Sequence, residues 1–390
     1  MNNQPLAQIT HNISLSNKKL NNNKLNQNST EKIYDKPILI DNKYLENSSR
    51  LAHILNSVLV MFAYNYSRDI RLQKIYQLDN DLNEILMMAE GTPFEIGMYL
   101  PHFWYDESGQ AKIEKLNTKN AIQYYLKNSK IKGVAHNSEG NPNCLQEFID
   151  RYDSEDILYI IQQDEDNSVI EALEKLNFKV RLVQPSQFMF IDNKLIVNGE
   201  LARQFYLNID REDLKIFDKN ILKAIITSGK CINDIRSLIL LQDRRTLVAF
   251  FNPQIMSSYI NQDDYKFLQT FLAPCFNIQT KDDQNLLLTS EQNWTLKLNN
   301  PGGKKDIINK MDISSEEWED LINNQWHLHT VHPDVNKKIF NLTTNDIEIR
   351  TEILGFDVFF NGKSYGPGIF ETKSESQESL KLIPLLEKES

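Results

Sequence analysis

Three histidines fall within the segment WHLHTVHPD: His327, His329 and His332. Imidazole is a common zinc ligand, so the cluster raises a metal reading. In an extended strand His327 and His329 share one face, with His332 close by. No Cys or further His stands near to complete a zinc set, and exposed or hinge-lining histidines are the plainer reading. The thiols offer less. Cys144, Cys231 and Cys275 lie far apart, with no metal spacing and no disulfide framework. Cys144 as a nucleophile would need a base beside it, and no His/Asn constellation marks one. Arg244-Arg245 reads by itself as the exterior of a helix, and Gly302-Gly303 after Pro301 as an ordinary turn.

The residues around these groups bound what the chain is. It has 390 residues, room for two or three domains or one composite fold. Hydrophobic residues make up 41% and charged residues 25%, enough for a sizeable core. A formal charge of −10 argues against nucleic acid as a partner. No apolar run approaches the roughly 18–20 residues of a membrane span, and the first residues carry no signal-peptide core. Reduced thiols in the cytoplasm are the expectation.

Residues 1–35, rich in Asn, Lys, Ser and Gln, are expected to form a disordered tail. Helical periodicity marks 48–69, with Ser48 or Ser49 as N-cap, and 79–90. Residues 94–105, the turn Asp106-Glu107-Ser108-Gly109 and AKIEKLN read as strand, turn, strand, with Phe103, Trp104 and Tyr105 as core packing. Helices follow at 118–128 and 143–152. A strand at 157–164, a helix at 167–177 and a strand at 180–187 form a parallel βαβ unit. A hairpin spans 188–200, turning at Asp192-Asn193-Lys194. Helices are predicted at 211–228, 234–251 and 262–273, and a strand at 293–300. The helix at 314–326 starts on Ser314, with Glu317 at the capping-box position and Trp318 and Trp326 on one face. Two strands at 347–365 turn at Asn361-Gly362.

The ordered series of segments resembles the circularly permuted ATP-grasp proteins, the group that includes glutathionylspermidine synthetase and related peptide ligases. MYLPHFWYDESGQAKIEKLN, from Met98, resembles the family's metal-site hairpin, R-P-D-F…D-G…K…E-I-N. ILYIIQQD through IDNKLIVNGE looks like the pre-ATP-grasp Rossmann-like domain. LILLQDRRTLVAFF (238–251) is similar to a helix carrying a Lys-Arg pair. NWTLKLNNPGGKKD (293–306) looks like the strand and glycine-rich loop over the triphosphate. WHLHTVHPDV occupies the adenine-hinge place, and FDVFFNGKSYGPGIFETKS (356–374) resembles the closing hairpin.

The resemblance implies a mixed α+β and α/β chain: a permuted ATP-grasp fold with a Rossmann-like pre-ATP-grasp domain. The implied divisions are a tail at 1–35, the hairpin lobe at 36–150, the Rossmann-like domain at 151–235, the remaining ATP-grasp lobes at 236–375 and a tail at 376–390. Such ligases phosphorylate a carboxylate with ATP, and an amine then displaces phosphate. The work is positioning and cancellation of phosphate charge by Mg²⁺, by Lys or Arg and by glycine-loop N–H groups. Carried over, Lys297, Arg244, Arg245, Gly302 and Gly303 would hold ATP, and Asn117 with Glu114 would hold Mg²⁺. The departures are concentrated. The family's Arg aligns with Leu100, its Asp with His102, its Glu with Lys115, and the closing-hairpin Arg with Thr372 or Glu371. A lysine in place of a carboxylate repels Mg²⁺, and only a strand bulge would turn Glu114 inward to replace it. The expectation is therefore a cytoplasmic ligase-like protein with impaired Mg·ATP chemistry, a pseudo-ligase or partner of an active ligase, with a protein partner or a second copy of itself and no membrane. The alternative is an active ATP-dependent ligase that joins a small carboxylate and an amine in peptide or natural-product biosynthesis.

Overall fold

A computed structural model describes residues 14–15, 34, 38–136, 143–162, 167–300, 307–344, 347–372, 380–382 and 384–386. Helices and sheets are mixed throughout. Among the described residues the largest sheet has seven strands. Its path runs Lys363–Ser364, Phe359–Phe360, Met98–Tyr105, Ile353–Phe356, Phe370–Thr372 and Lys381–Leu382, and Ala111–Asn117 pairs with Met98–Tyr105. Alternation along that hairpin divides it between two cores. Tyr99, Phe103, Tyr105, Ile113 and Leu116 join the main core with the long helix Asn42–Asn65. Met98 and Leu100 face Ala121, Ile122 and Tyr125.

Four parallel strands form a second sheet, ordered Cys231–Ile232, Gln204–Asn208, Leu158–Gln162, Val180–Val183. Its two central strands are buried at every residue, as expected of a parallel sheet covered on both faces. The predicted βαβ unit is present as Leu158–Gln162, the helix Ser168–Glu174 and Val180–Val183. A third, antiparallel sheet runs Phe276–Asn277, His329–Pro333, Trp294–Leu298, Ile307–Asn309. Leu296 and Val331 pack there against Leu287, Trp318 and Ile322, with Trp326 at the margin.

Several boundaries moved for identifiable reasons. The long helix begins seven residues before Ser49, at Asn42, because Asp41 accepts from the Tyr44 amide; Ser48 is buried and its hydroxyl donates to Asp357 instead. The single helix expected over 234–251 is a π-helical turn, Ser237–Leu241, and a separate helix, Arg245–Phe251. Between them the Arg244 amide leaves the helical ladder and donates to the Asn299 carbonyl at 2.9 Å. Ser314 and Glu317 do form the reciprocal capping box, and Asn361-Gly362 turns the hairpin with both residues at positive φ.

The two expected tails contain structured residues. Ser14–Leu15 pair with Ile38–Ile40, which pairs in parallel with Pro384–Leu386. Tyr34 is buried and its amide donates to the Lys381 carbonyl. Leu382 lies wholly inside the main core. The apolar run KLIPLL near the C-terminus supplies strand residues that its charged neighbours hide in a composition reading.

Candidate functional site

The hairpin Met98–Tyr105 and Ala111–Asn117 pairs Leu100 with Asn117 and His102 with Lys115, then slips, so that Phe103 faces Ile113. Glu114 is the extra residue of a bulge. The cause is visible beside it. The Ile113 amide donates to the Phe271 carbonyl at 2.7 Å, outside the hairpin ladder. With Ile113 and Leu116 both held in the core, Glu114 and Lys115 are turned out together onto the face that carries His102.

Across the gap stands the antiparallel sheet. Lys297, on Trp294–Leu298, extends its ammonium to Glu114 Oε1 at 3.0 Å, and both side chains are largely buried (12% and 21% exposed). Arg244 reaches the same place from the break before the helix Arg245–Phe251, its Nη1 donating to the Leu298 carbonyl at 3.2 Å. His332 sits on the neighbouring strand His329–Pro333, its Nε2 3.4 Å from Thr330 Oγ1. His102 stands edge-on to Phe356 at 4.6 Å, and its Nε2 has no hydrogen-bond partner among the described residues.

The electrostatics follow from this crowding. Burial pushes the Glu114 carboxyl up, but the Lys297 ammonium, its hydrogen bond, Arg244 and His102 outweigh it and hold the group well below the usual carboxylate range. Burial, reinforced by Arg244, holds the Lys297 ammonium below its ordinary range although Glu114 opposes this. Burial lowers His332 well below 6.5, helped by Lys297 and Arg244, and lowers His102 likewise, helped by Lys115. Both imidazoles are therefore neutral near pH 7. An unfolded chain takes these two protons near pH 6.5, whereas the folded chain takes them only at lower pH. Their contribution to stability is thus full above about pH 6.5 and declines as pH falls below it. Urea unfolding at pH 7.5 and 5.5 should show this decline, and His102→Gln with His332→Gln should reduce it; an unchanged pH slope in the double variant would count against the assignment.

The residues singled out from sequence are sorted by this geometry. Lys297, Glu114 and Arg244 come together. Arg245 does not. Its guanidinium is held by Asp243, with Nε and Nη2 at 2.9 and 2.6 Å, and turns toward the Gln77 carbonyl, because the side chain continues the helix face that packs on the core. Asn117 lies on the cleft face of the hairpin, where its Oδ1 accepts from the Lys119 amide at 3.1 Å. Gly302 and Gly303 lie outside the described residues. The histidine cluster does not converge: the His329 ring meets the Gln325 carbonyl, three residues and one strand face away from His332.

The donor set does not fit a resident Mg²⁺. Glu114 is its one carboxylate and is already compensated by Lys297, while Arg244 and Lys115 add positive charge. Among the described residues no group of three or more His, Cys, Asp or Glu side chains is placed to hold a metal. With Lys297, Arg244 and Lys115 set against Glu114, the charge balance of the site favours an anion over a cation. Sequence reasoning offered His332 only as an exposed or hinge-lining histidine, and it missed Asp243 as the anchor of Arg245. Asp243, two residues before Arg245, was the available signal, since an aspartate just before a helix start is a capping cue.

The sequence matches the family model of the AnkG N-terminal domain over residues 51–240. That stretch includes the hairpin and the parallel sheet and ends before Arg244 and Lys297. No curated protein matches the chain significantly. Among solved structures the chain is similar to a candidate gamma-glutamylcysteine synthetase from Methylobacillus flagellatus KT, at 10% identity and a TM-score of 0.41, over 85% of this chain and 88% of that one. It is also similar to the ATP-grasp ligase PsnB complexed with a minimal precursor, at 10% identity and a TM-score of 0.32, over 58% of this chain and 89% of that one. Among the described residues no helix is long and apolar enough to cross a membrane.

Proposed function

We propose that the chain is an ATP-grasp-type, ligase-like protein that binds the polyphosphate of a nucleotide but does not carry out Mg²⁺-dependent acyl-phosphate chemistry, and that it acts as a pseudo-ligase beside an active ligase. The observation that carries this reading is the ion pair between Glu114 and Lys297 with Arg244 beside it. Cations gathered between two sheets suit a phosphate chain, and the one carboxylate available for a metal is spent on a lysine. The order of segments along the sequence supports a permuted ATP-grasp arrangement, with the four parallel strands as its Rossmann-like part. Chemistry of the family type needs bridging Mg²⁺, whereas nucleotide binding here rests on the cationic side chains.

Isothermal titration with ATP tests this directly. Binding is expected to be similar with Mg²⁺ and with a chelator, and no ADP should be released on prolonged incubation. ADP release that disappears in Lys297→Met would refute the pseudo-ligase reading. No heat at millimolar nucleotide would end nucleotide binding altogether. The second reading, an active ligase, is favoured by one feature, the bulge that presents Glu114. If Mg²⁺ brought by ATP displaces Lys297 from Glu114, affinity rises strongly with Mg²⁺ and falls in Glu114→Gln.

A further inference from the structure

The antiparallel sheet that carries Lys297 ends on the short strand Ile307–Asn309. That strand pairs with Trp294–Leu298 on one side and has no strand partner on the other among the described residues. An open strand edge is a template for another chain. This one borders an open groove of about 690 Å³, with the helix Ser315–Asp320 along it. Ile307, Ile308, Ile313 and Leu321 supply the apolar lining. Ile308, Ile313 and Leu321 pack against the small core around Trp318 and Ile322, which holds the groove in shape, while Ile307 is 46% exposed. No residue of the Glu114–Lys297 site is among those that line it.

The rim of the groove has one sign of charge. Asp312, Glu316, Glu317 and Asp320 line it and are exposed, and no Lys, Arg or His is among its described lining residues. Among the described residues their hydrogen-bond donors are neutral. Asp312 accepts from Asn309 Nδ2 at 2.6 Å, Glu317 from the Ser314 amide at 3.0 Å and Asp320 from Asn324 Nδ2 at 2.6 Å. Lys310, two residues before Asp312, is turned away: its ammonium donates to the Leu287 and Ser290 carbonyls and lies over the Trp318 ring. A second copy paired edge to edge would set one row of carboxylates against another, which opposes self-association here. The same row attracts a cationic chain.

We propose that this groove docks an extended, arginine-bearing segment of a partner protein, which adds a strand to the edge Ile307–Asn309. In strand addition the main chain supplies affinity through ladder hydrogen bonds, and alternate side chains supply specificity. Apolar side chains of the segment meet Ile307 and Leu321. Glu316 and Asp320 stand one helical turn apart, with about 5–6 Å between their Cβ atoms, close to the roughly 6–7 Å between alternate side chains on one face of a strand. Two arginines at alternate positions therefore reach both carboxylates, and the planar guanidinium is the cation that meets a carboxylate through two parallel hydrogen bonds. The inference is independent of the nucleotide reading, because no cation of the Lys297 cluster takes part in it.

The test uses the full chain without nucleotide, so its result stands apart from the ATP titration. Fluorescence anisotropy is run with the labelled, amidated peptide Thr-Val-Arg-Val-Arg-Val-Thr. Two controls have glutamate for arginine, or proline for valine. The arginine peptide is expected to bind about tenfold or more tightly than either control, since one reverses the charge and the other keeps it but cannot form a ladder. Hydrogen exchange over residues 307–309 should slow when it binds. Glu316→Gln with Asp320→Asn should weaken binding about tenfold and leave the thermal melt nearly unchanged, because both side chains are exposed. No binding of the arginine peptide, equal binding of the glutamate peptide, or undiminished binding in the double variant would overturn the proposal. Equal binding of the proline peptide would reduce it to charge attraction without an added strand. Self-association of the chain that excludes the peptide would give the edge to a second copy instead.

Discussion

Lys297→Met lowers the free energy of unfolding by about 3–5 kcal/mol, the usual cost of leaving one member of a buried ion pair uncompensated. Glu114, largely buried and 3.0 Å from the lost ammonium, is then a lone carboxylate facing His102 and Arg244. Adding Glu114→Gln removes that charge and restores most of the loss, since two neutral side chains of similar volume replace the pair. The single variant also has a distinct pH signature. Without Lys297 the folded-state pKa of Glu114 moves up, because burial is then opposed by Arg244 and His102 alone. Protonation then relieves the buried charge, so the penalty is largest above that raised pKa and shrinks as pH falls through it. Urea unfolding of the wild type and the single and double variants at pH 7.5 and 4.5 reads both effects. A double variant as unstable as Lys297→Met would mean that the pair is not what joins the two sheets.

Asp243→Ala has a comparable cost, about 3–5 kcal/mol, by stranding the buried Arg245 guanidinium and leaving Arg211 with Glu212 alone. Asp243 is fully buried. It accepts from the Arg245 amide at 2.9 Å, from Arg245 Nε at 2.9 Å and Nη2 at 2.6 Å, and from Arg211. Burial raises its pKa, but Arg245 and Arg211 outweigh burial and hold it below the ordinary value. The stabilisation is therefore present above the unfolded carboxylate pKa and is lost as pH falls through the lower folded value. The same aspartate starts the helix Arg245–Phe251 and so sets the break from which Arg244 reaches the strand carbonyls. Asp243→Ala should consequently weaken ATP binding as well as stability. Asp156→Ala is the control. Its partner Arg203 is 59% exposed, and its removal should cost less than about 0.5 kcal/mol. Equal melting of the two variants would dismiss Asp243 as an anchor.

How far such a site can be read without coordinates depends on the signal each residue leaves in its neighbours. The parallel βαβ unit, the Ser314 capping box and the Asn361-Gly362 turn were legible because each has a local cause: an apolar run, a reciprocal side-chain bond, a pair of residues at positive φ. The bulge was half legible. Apolar residues at Ala111, Ile113 and Leu116 break a period of two by one residue, which is the trace of an insertion, but the Phe271 carbonyl that causes it is remote in sequence. Arg244 and Arg245 are indistinguishable by periodicity. The bond from the Arg244 amide to Asn299, with the Asp243 carboxylate on the Arg245 amide, breaks the helix there and separates their fates. The C-terminal strands were missed because burial of Leu382 depends on a partner strand, not on local composition.

That C-terminal pairing has a kinetic consequence. Ile38–Ile40 pairs in parallel with Pro384–Leu386, so this pairing cannot close until the whole stretch between them has been made. Asp357, which accepts from Tyr44 and Ser48 of the long helix, likewise lies far along the chain from it. Until then the buried face of that helix, with Leu51, Leu55, Leu59 and Phe62, waits without most of its sheet. A nascent chain of this kind carries an apolar surface and an open strand edge until the distant partner has been made, a state that favours chaperone capture and aggregation over early domain-by-domain closure.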